Sequence, residues 1–204
     1  MNKTSAIKTI ISVTSDQPVV FTTGYACRIA KHLADRPGHF YMTGSMGLSA
    51  SIATGIALST GKTAVAVDGD GSLLMNPASL ITAGAIPDLP LVHVVLDDSA
   101  YASTGGQAAP SAGTDFADWA RASGYPAASR ATDGDELTQL LRGAISRSAP
   151  TLIHCTLNAP DDEVPPRIDL DLARHRRRVS RHIRAHSRPN PRLGHRTVQC
   201  PSAR

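Results

Sequence analysis

Short apolar runs alternate with longer amphipathic stretches along most of this chain. PVVFT (18–22), HFYM (39–42), TAVAVD (63–68), LVHVVL (91–96) and TLIHCTLN (151–158) are each too short for a helix and read as buried strands. The stretches between them carry helical spacing. Residues 4–14 place Ile7, Ile10 and Ile11 on one face, with Thr4 or Ser5 as the expected cap. YACRIAKHLAD (25–35) follows the turn Thr22-Thr23-Gly24, and residues 43–61 read as one helix throughout. Residues 75–86 read as a single crossover helix, Asn76 its N-cap and Pro77 its first position. A further helix starts at an Asp115 cap and ends near Gly124, and one over 133–150 turns Leu137, Leu140, Leu141 and Ile145 inward. Strands without polar alternation, separated by helices, imply an α/β fold: three layers, α/β/α, around a mostly parallel central sheet.

The helix at 43–61 is so poor in large side chains that something must pack closely on it, either another helix or an extended cofactor. Within it GIALSTGKT (55–63) imitates a phosphate-binding P-loop. The imitation fails because five residues separate Gly55 from Gly61 and the glycines end a helix instead of following a strand. Gly61 reads as a helix C-cap.

Candidate chemistry concentrates between Asp68 and Thr104. Gly69-Asp70-Gly71 and Asp97-Asp98 each directly follow a buried strand, with Asp70 and Asp98 28 positions apart. Parallel strands deliver their carboxyl ends to one edge, so the two acids are expected to meet over one ligand. Carboxylates beside a glycine turn suit a divalent cation bridging the protein to a polyphosphate, with Gly69 and Gly71 giving an anion access to backbone N–H groups there and at Ser72. Beyond them, YASTGGQAAPSAGTD (101–115) reads as a mobile loop at the same edge, where Ser103, Thr104 and Gln107 offer groups to an anionic substrate. His154, in mid-strand, reads as a packed histidine.

GDGS followed after about thirty residues by an acidic or amide pair resembles the thiamine diphosphate motif of decarboxylases and acetolactate synthases. LDDSAYASTGGQ resembles most the phosphonopyruvate and sulfopyruvate decarboxylases. The resemblance covers about residues 1–165 and implies the diphosphate domain of that fold. It assigns Mg²⁺ to Asp70, Asp98 and the backbone of Ala100, with Asp98 a carboxylate where the pattern usually has an asparagine. It implies thiamine diphosphate contacts at Gly24, Tyr25, Gly44, Ser45, Met46, Gly71, Ser72 and Tyr101, and low-ranking substrate contacts at Ser103 and Thr104. Met46, 24 positions before Asp70, falls where the family wedges the cofactor's two rings apart, and Gly44 where a carbonyl meets the aminopyrimidine.

Composition narrows the setting. Cys27, Cys155 and Cys200 are widely spaced and fit neither a disulfide framework nor a zinc site, pointing to a cytoplasmic protein. No apolar run suits a leader or a membrane span. The net charge of +4 is unevenly spread: residues 1–166 hold 10 basic and 15 acidic groups, whereas 167–204 hold 11 Arg and 2 Asp. The division expected is therefore a cofactor domain over 1–165 and an Arg-rich helix with a disordered tail over 166–204. Nucleic-acid binding by the folded part is not what this charge implies.

Related enzymes also need a pyrimidine-binding domain whose glutamate activates the cofactor. This chain has only Glu136 and Glu163, neither suitably placed. The resemblance thus implies one subunit of a hetero-oligomeric 2-oxo acid decarboxylase, the glutamate arriving on a partner and no catalytic residue secure on this chain. Phosphonopyruvate, an anionic 2-oxo acid, is the expected substrate, in phosphonate biosynthesis. The alternatives are a sulfopyruvate decarboxylase beta subunit and a non-catalytic subunit that only holds thiamine diphosphate.

Overall fold

A computed structural model of the chain describes residues 1–186. The helices are α1 (Lys3–Val13), α2 (Tyr25–Leu33), α3 (Ser49–Thr60), α4 (Asp70–Met75), α5 (Ala78–Gly84), α6 (Phe116–Ala122), α7 (Gly134–Ser146) and α8 (Leu172–His186). The strands are β1 (Val19–Phe21), β2 (His39–Tyr41), β3 (Ala64–Gly69), β4 (Leu91–Asp97), β5 (Ala100–Tyr101), β6 (Gln107–Ala108), β7 (Ala127–Ala131) and β8 (Thr151–Thr156). Six of them form one parallel sheet in the order β2-β1-β3-β4-β8-β7, and β5 with β6 makes a small antiparallel hairpin.

The strands are apolar on both faces because both faces are covered. Val19, Phe21, Val65, Val67, Val92 and Val94 point toward α1, α2 and α7, where Ile7, Ile10, Ile29, Leu137 and Leu141 meet them. Val20, Ala64, Ala66 and Val95 point the other way, toward α3, α5 and α6. The small-residue helix finds its close neighbour here: Ala50, Ala53 and Ala57 pack with Ala64 and Ala66 in one buried cluster. The sheet itself, and neither a second helix nor a cofactor, accounts for that alanine face.

Several local expectations change. Asn2, not Thr4 or Ser5, caps α1, exchanging hydrogen bonds with Ser5 in a capping box. Residues 43–48 are not helical: Ser45 (φ 56°) and Gly47 (φ 94°) turn the chain before α3 begins. The crossover between β3 and β4 is two helices, so Asn76 is the C-cap of α4 and Pro77 the N-cap residue of α5. The loop after Tyr101 contains the β5–β6 hairpin, and β7 is a strand with no counterpart in the sequence reading. Gly61 (φ 65°) ends α3 and Asp115 caps α6, both as expected.

The basic helix α8 packs on the open edge of the sheet. His175, buried, accepts the Tyr41 backbone N–H on Nε2 at 3.0 Å, and its ring stacks on Phe40 and Tyr41. An edge-strand donor is thereby satisfied. Burial, then the nearby Arg178 charge, lowers the His175 pKa, which keeps the ring in the neutral form that can accept. Arg178 pairs with Asp35 at 2.7 Å. The expected disordered end falls on residues 187–204, outside the described residues, as does Cys200.

Two glycines test the packing in opposite directions. A Cβ on Gly84 would lie 1.9 Å from the Ser123 carbonyl oxygen, because α5 and the end of α6 touch backbone to backbone. Gly55, inside α3, has no atom within 4 Å of that position. Gly84→Ala is expected to destabilise the chain by about 1–3 kcal/mol and Gly55→Ala to stabilise it by about 0.5–1 kcal/mol, both read by chemical denaturation.

Candidate functional site

The carboxyl ends of β1, β3 and β4 open onto one cleft, beside the point where the chain reverses direction across the sheet between β1 and β3. After β1, Thr22 donates its N–H to the Val67 carbonyl and its hydroxyl meets the Ser72 hydroxyl at 2.8 Å. Gly24 then caps α2 at φ 94°, a conformation that favours glycine, with Ser103 crowding against it. The turn after β2 is held from below: Gly47 N–H donates to Ser72 Oγ at 3.0 Å, and Asn76 Nδ2 donates to the Gly47 carbonyl at 3.0 Å. Ser72 therefore fastens the β1 and β2 turns to α4.

Beyond Asp68, which is buried in β3 with His93 Nε2 at 3.4 Å, three carboxylates gather at the β3 and β4 ends. Asp97 is internally satisfied, paired with His154 Nε2 at 2.9 Å and accepting from the Ser99 N–H at 3.0 Å. Burial raises its pKa, but the His154 and Ser99 hydrogen bonds outweigh that and hold it below the usual carboxylate range. Asp98 pairs with Lys3 Nζ at 2.6 Å. Asp70 is 2% exposed and receives one side-chain hydrogen bond, from Ser111 Oγ at 2.7 Å. No lysine, arginine or histidine pairs with it among the described residues. Burial is the main cause that pushes its pKa up to about 6, and the charges of Asp97 and Asp98 add to it. A buried carboxylate of this kind, unmatched by any cation, fits a divalent ion. Asp70, Asp98 and the Ala100 carbonyl could supply hard oxygen ligands to Mg²⁺.

The structure brings most of the sequence-derived residues together. Tyr25, Met46, Asp70, Gly71, Ser72, Asp98, Ala100, Tyr101, Ser103 and Thr104 all line the cleft. Gly24 lines an adjoining cavity of about 330 Å³ that shares Met46, Ser103 and Thr104 with it. Gly44 and Ser45 line neither and sit exposed on the rim, and Gln107 is exposed on β6. Gly71 has a steric reason to be glycine beside the one expected. Tyr101 lies on it, with ring Cε1 only 2.3 Å from where a Cβ would be, while a Cβ on Gly69 would approach nothing closer than 3.9 Å.

Sequence reading missed Lys3, Ser111 and the pairing role of His154, whose ring is buried as expected but holds Asp97. It also missed Arg28 and Arg167, which line the adjoining cavity. Arg28 Nε donates to the Pro165 carbonyl at 2.7 Å, tying α2 to the segment after β8. Cys27 and Cys155 are buried free thiols, with burial pushing their pKa values up to about 11 and about 12. Neither is poised as a nucleophile.

The chain is similar to known proteins. The chain is 44% identical over 142 residues to the phosphonopyruvate decarboxylase of Streptomyces viridochromogenes, covering 70% of this chain and 36% of that protein. It is 35% identical over 171 residues to sulfopyruvate decarboxylase subunit beta of Methanothermobacter thermautotrophicus, covering 84% of this chain and 89% of that subunit. It thus spans about a third of the length of the phosphonopyruvate decarboxylases it matches, at 36% and 34%. The X-ray structure of a candidate thiamin diphosphate-dependent enzyme from Mycobacterium smegmatis superposes with a TM-score of 0.64 at 25% identity, covering 78% of this chain and 32% of that one. Residues 22–155, from the turn after β1 almost to the end of β8, match the family model described as the thiamine pyrophosphate enzyme C-terminal TPP binding domain, and it is to this family that the chain belongs.

Proposed function

We propose that this chain is the cofactor-holding subunit of a thiamine diphosphate-dependent carboxy-lyase that converts phosphonopyruvate to phosphonoacetaldehyde and CO₂, in phosphonate biosynthesis. The observation that carries the reading is the meeting of Asp70 and Asp98 in one cleft, with Asp70 buried and matched by no cationic side chain among the described residues. In this reading Asp70, Asp98 and the Ala100 carbonyl hold Mg²⁺. Gly24, Tyr25, Gly71, Ser72 and Tyr101 surround the diphosphate end, and Gly44, Ser45 and Met46 the aminopyrimidine end. The domain that does this is residues 1–165, with 166–204 as an Arg-rich addition.

When bound, thiamine diphosphate supplies the electron sink that accepts the pair left as CO₂ departs. The chain's own residues bind and orient. Met46 presents an apolar wall, and the Tyr101 ring lies over Gly71, next to Asp70. Arg28 and Arg167 line the adjoining cavity with no acidic residue among its walls, and Ser103 and Thr104 lie between it and the cleft. Two guanidinium groups beside hydroxyls suit the phosphonate of the substrate. Glu136 is occupied in accepting from Thr132 at 2.8 Å and Glu163 is exposed, and neither lines the cleft. We assign the glutamate that protonates the cofactor to a pyrimidine-binding domain on a partner subunit. The naming of the second relative as a subunit supports this assignment.

A second reading, sulfopyruvate decarboxylation, is favoured by coverage: this chain matches 89% of that beta subunit, against 36% of the phosphonopyruvate decarboxylase. Identity, 44% against 35%, favours phosphonopyruvate. Steady-state kinetics of the chain co-expressed with its pyrimidine-domain partner should show the higher kcat/KM for phosphonopyruvate. Equal rates, or a preference for sulfopyruvate, would overturn the substrate assignment.

Asp70 gives a pH test. Its folded pKa of about 6 stands above the ordinary 3.8, so the native chain binds this proton more tightly than the unfolded chain. The group therefore costs nothing below pH 3.8 and weakens the cation-free fold as pH rises from 3.8 through about 6. Asp70→Asn should stabilise the cation-free chain at pH 7 by on the order of 1–3 kcal/mol, with the gap from the parent closing toward pH 4, while abolishing Mg²⁺-dependent cofactor binding. In the parent, calorimetric Mg²⁺ affinity should fall as pH drops below about 6. Ser111→Ala, which removes the donor behind Asp70, should weaken Mg²⁺ binding by about 10–100-fold.

A further inference from the structure

The acidic corner raises a question of charge that the cofactor reading leaves open. Asp98 puts a carboxylate where an amide would serve as a neutral ligand, adding one negative charge next to a diphosphate that is itself anionic. The structure meets that charge with Lys3. Its Nζ lies 2.6 Å from Asp98 Oδ2, with the two side chains only 9% and 20% exposed. Lys3 lines the cleft together with Asp70 and Asp98.

The lysine is held in place from several directions. Its own backbone N–H donates to Asp161 Oδ1 at 2.9 Å, and its Nζ stands 3.7 Å from Asp161 Oδ2. The Tyr25 ring lies below the ammonium, 5.9 Å from its centroid. Asn2 Nδ2 donates to the Pro160 carbonyl at 3.2 Å, and the amino group of Met1 donates to Asn158 Oδ1 at 2.6 Å. The first turn of α1 is therefore strapped to the segment after β8, and the strap aims Lys3 inward. Docking of α1 does not require a lysine there, because Ala6, Ile7, Ile10 and Ile11 supply its buried face. A lysine buried at the start of a helix and pointed at a carboxylate needs a reason beyond packing.

We propose that Lys3 is a cofactor-positioning residue: it cancels the charge of Asp98, so that the cleft offers a magnesium–diphosphate group the net charge that a neutral ligand at position 98 would give. The proposal rests on the assignment of Asp70, Asp98 and Ala100 to that group. It makes the two side chains a coupled pair, in which the effect of losing one depends on the presence of the other.

The test is calorimetric titration of thiamine diphosphate into the full chain at saturating Mg²⁺, with thermal melts to confirm that each variant is folded. Lys3→Met should weaken cofactor binding at least about tenfold. Lys3→Arg, which keeps the charge, should bind within about threefold of the parent, and the double variant Lys3→Met with Asp98→Asn, which removes both charges, should bind at least about threefold more tightly than Lys3→Met alone. If Lys3→Met binds as tightly as the parent, or if the double variant is as weak as Lys3→Met alone, the pairing is not what the lysine is for. A parent chain that binds no thiamine diphosphate with Mg²⁺ would overturn the cofactor-site assignment and this proposal with it.

Discussion

The parallel pairing of β3 with β4 runs in register from Ala64 opposite Leu91 to Gly69 opposite Leu96, so the residues that follow each strand emerge side by side at one edge of the sheet. Asp70 opens α4 directly after β3, and Asp97 and Asp98 close β4 and start the next turn. A one-residue slip of either strand would turn its buried set to the other face and carry the acids apart. The register is fixed by apolar contacts on both sides of the sheet, with Val65, Val67, Val92 and Val94 on one face and Ala64, Ala66 and Val95 on the other. The site's geometry is thus set by the core beneath it.

Within that geometry the three carboxylates have three different surroundings. Asp97 is satisfied from inside the protein by His154 and Ser99, Asp98 by a lysine reaching in from α1, and Asp70 only by neutral groups, the Ser111 hydroxyl and the Gly71 backbone. Hydrogen bonds hold Asp97 as a carboxylate, while burial makes Asp70 resist ionisation until something cationic joins it. The imbalance costs the cation-free fold stability as pH rises through the Asp70 pKa. The wall opposite is assembled from turns that share one fastening, since Ser72 binds both Thr22 and Gly47.

The sequence reveals the layers and the acidic edge for definite reasons. TAVAVD and LVHVVL are apolar without alternation because both faces are buried, and that pattern is visible without coordinates. Gly61 and Asp115 announce their helix ends by residue type. The missed features depend on distant neighbours. AASRA gives little strand signal, and β7 exists because β8 pairs with it. The turn at 43–48 interrupts a helical pattern because Ser72 and Asn76, far along the chain, hold Gly47. Lys3 meets Asp98 across 95 positions and Ser111 meets Asp70 across 41, separations at which a single sequence carries no pairing signal. Gly71 stands out in the string of letters, but its contact with the Tyr101 ring, 30 positions away, does not.

The claim on which the account depends is that Asp70 and Asp98 grip a single cation. Anomalous diffraction from crystals grown with Mn²⁺ in place of Mg²⁺, together with thiamine diphosphate, addresses it directly. The account predicts one strong peak bonded to a carboxylate oxygen of each aspartate and to the Ala100 carbonyl. A peak elsewhere, or a cofactor seated in the cleft with neither aspartate in contact with the metal, would contradict it.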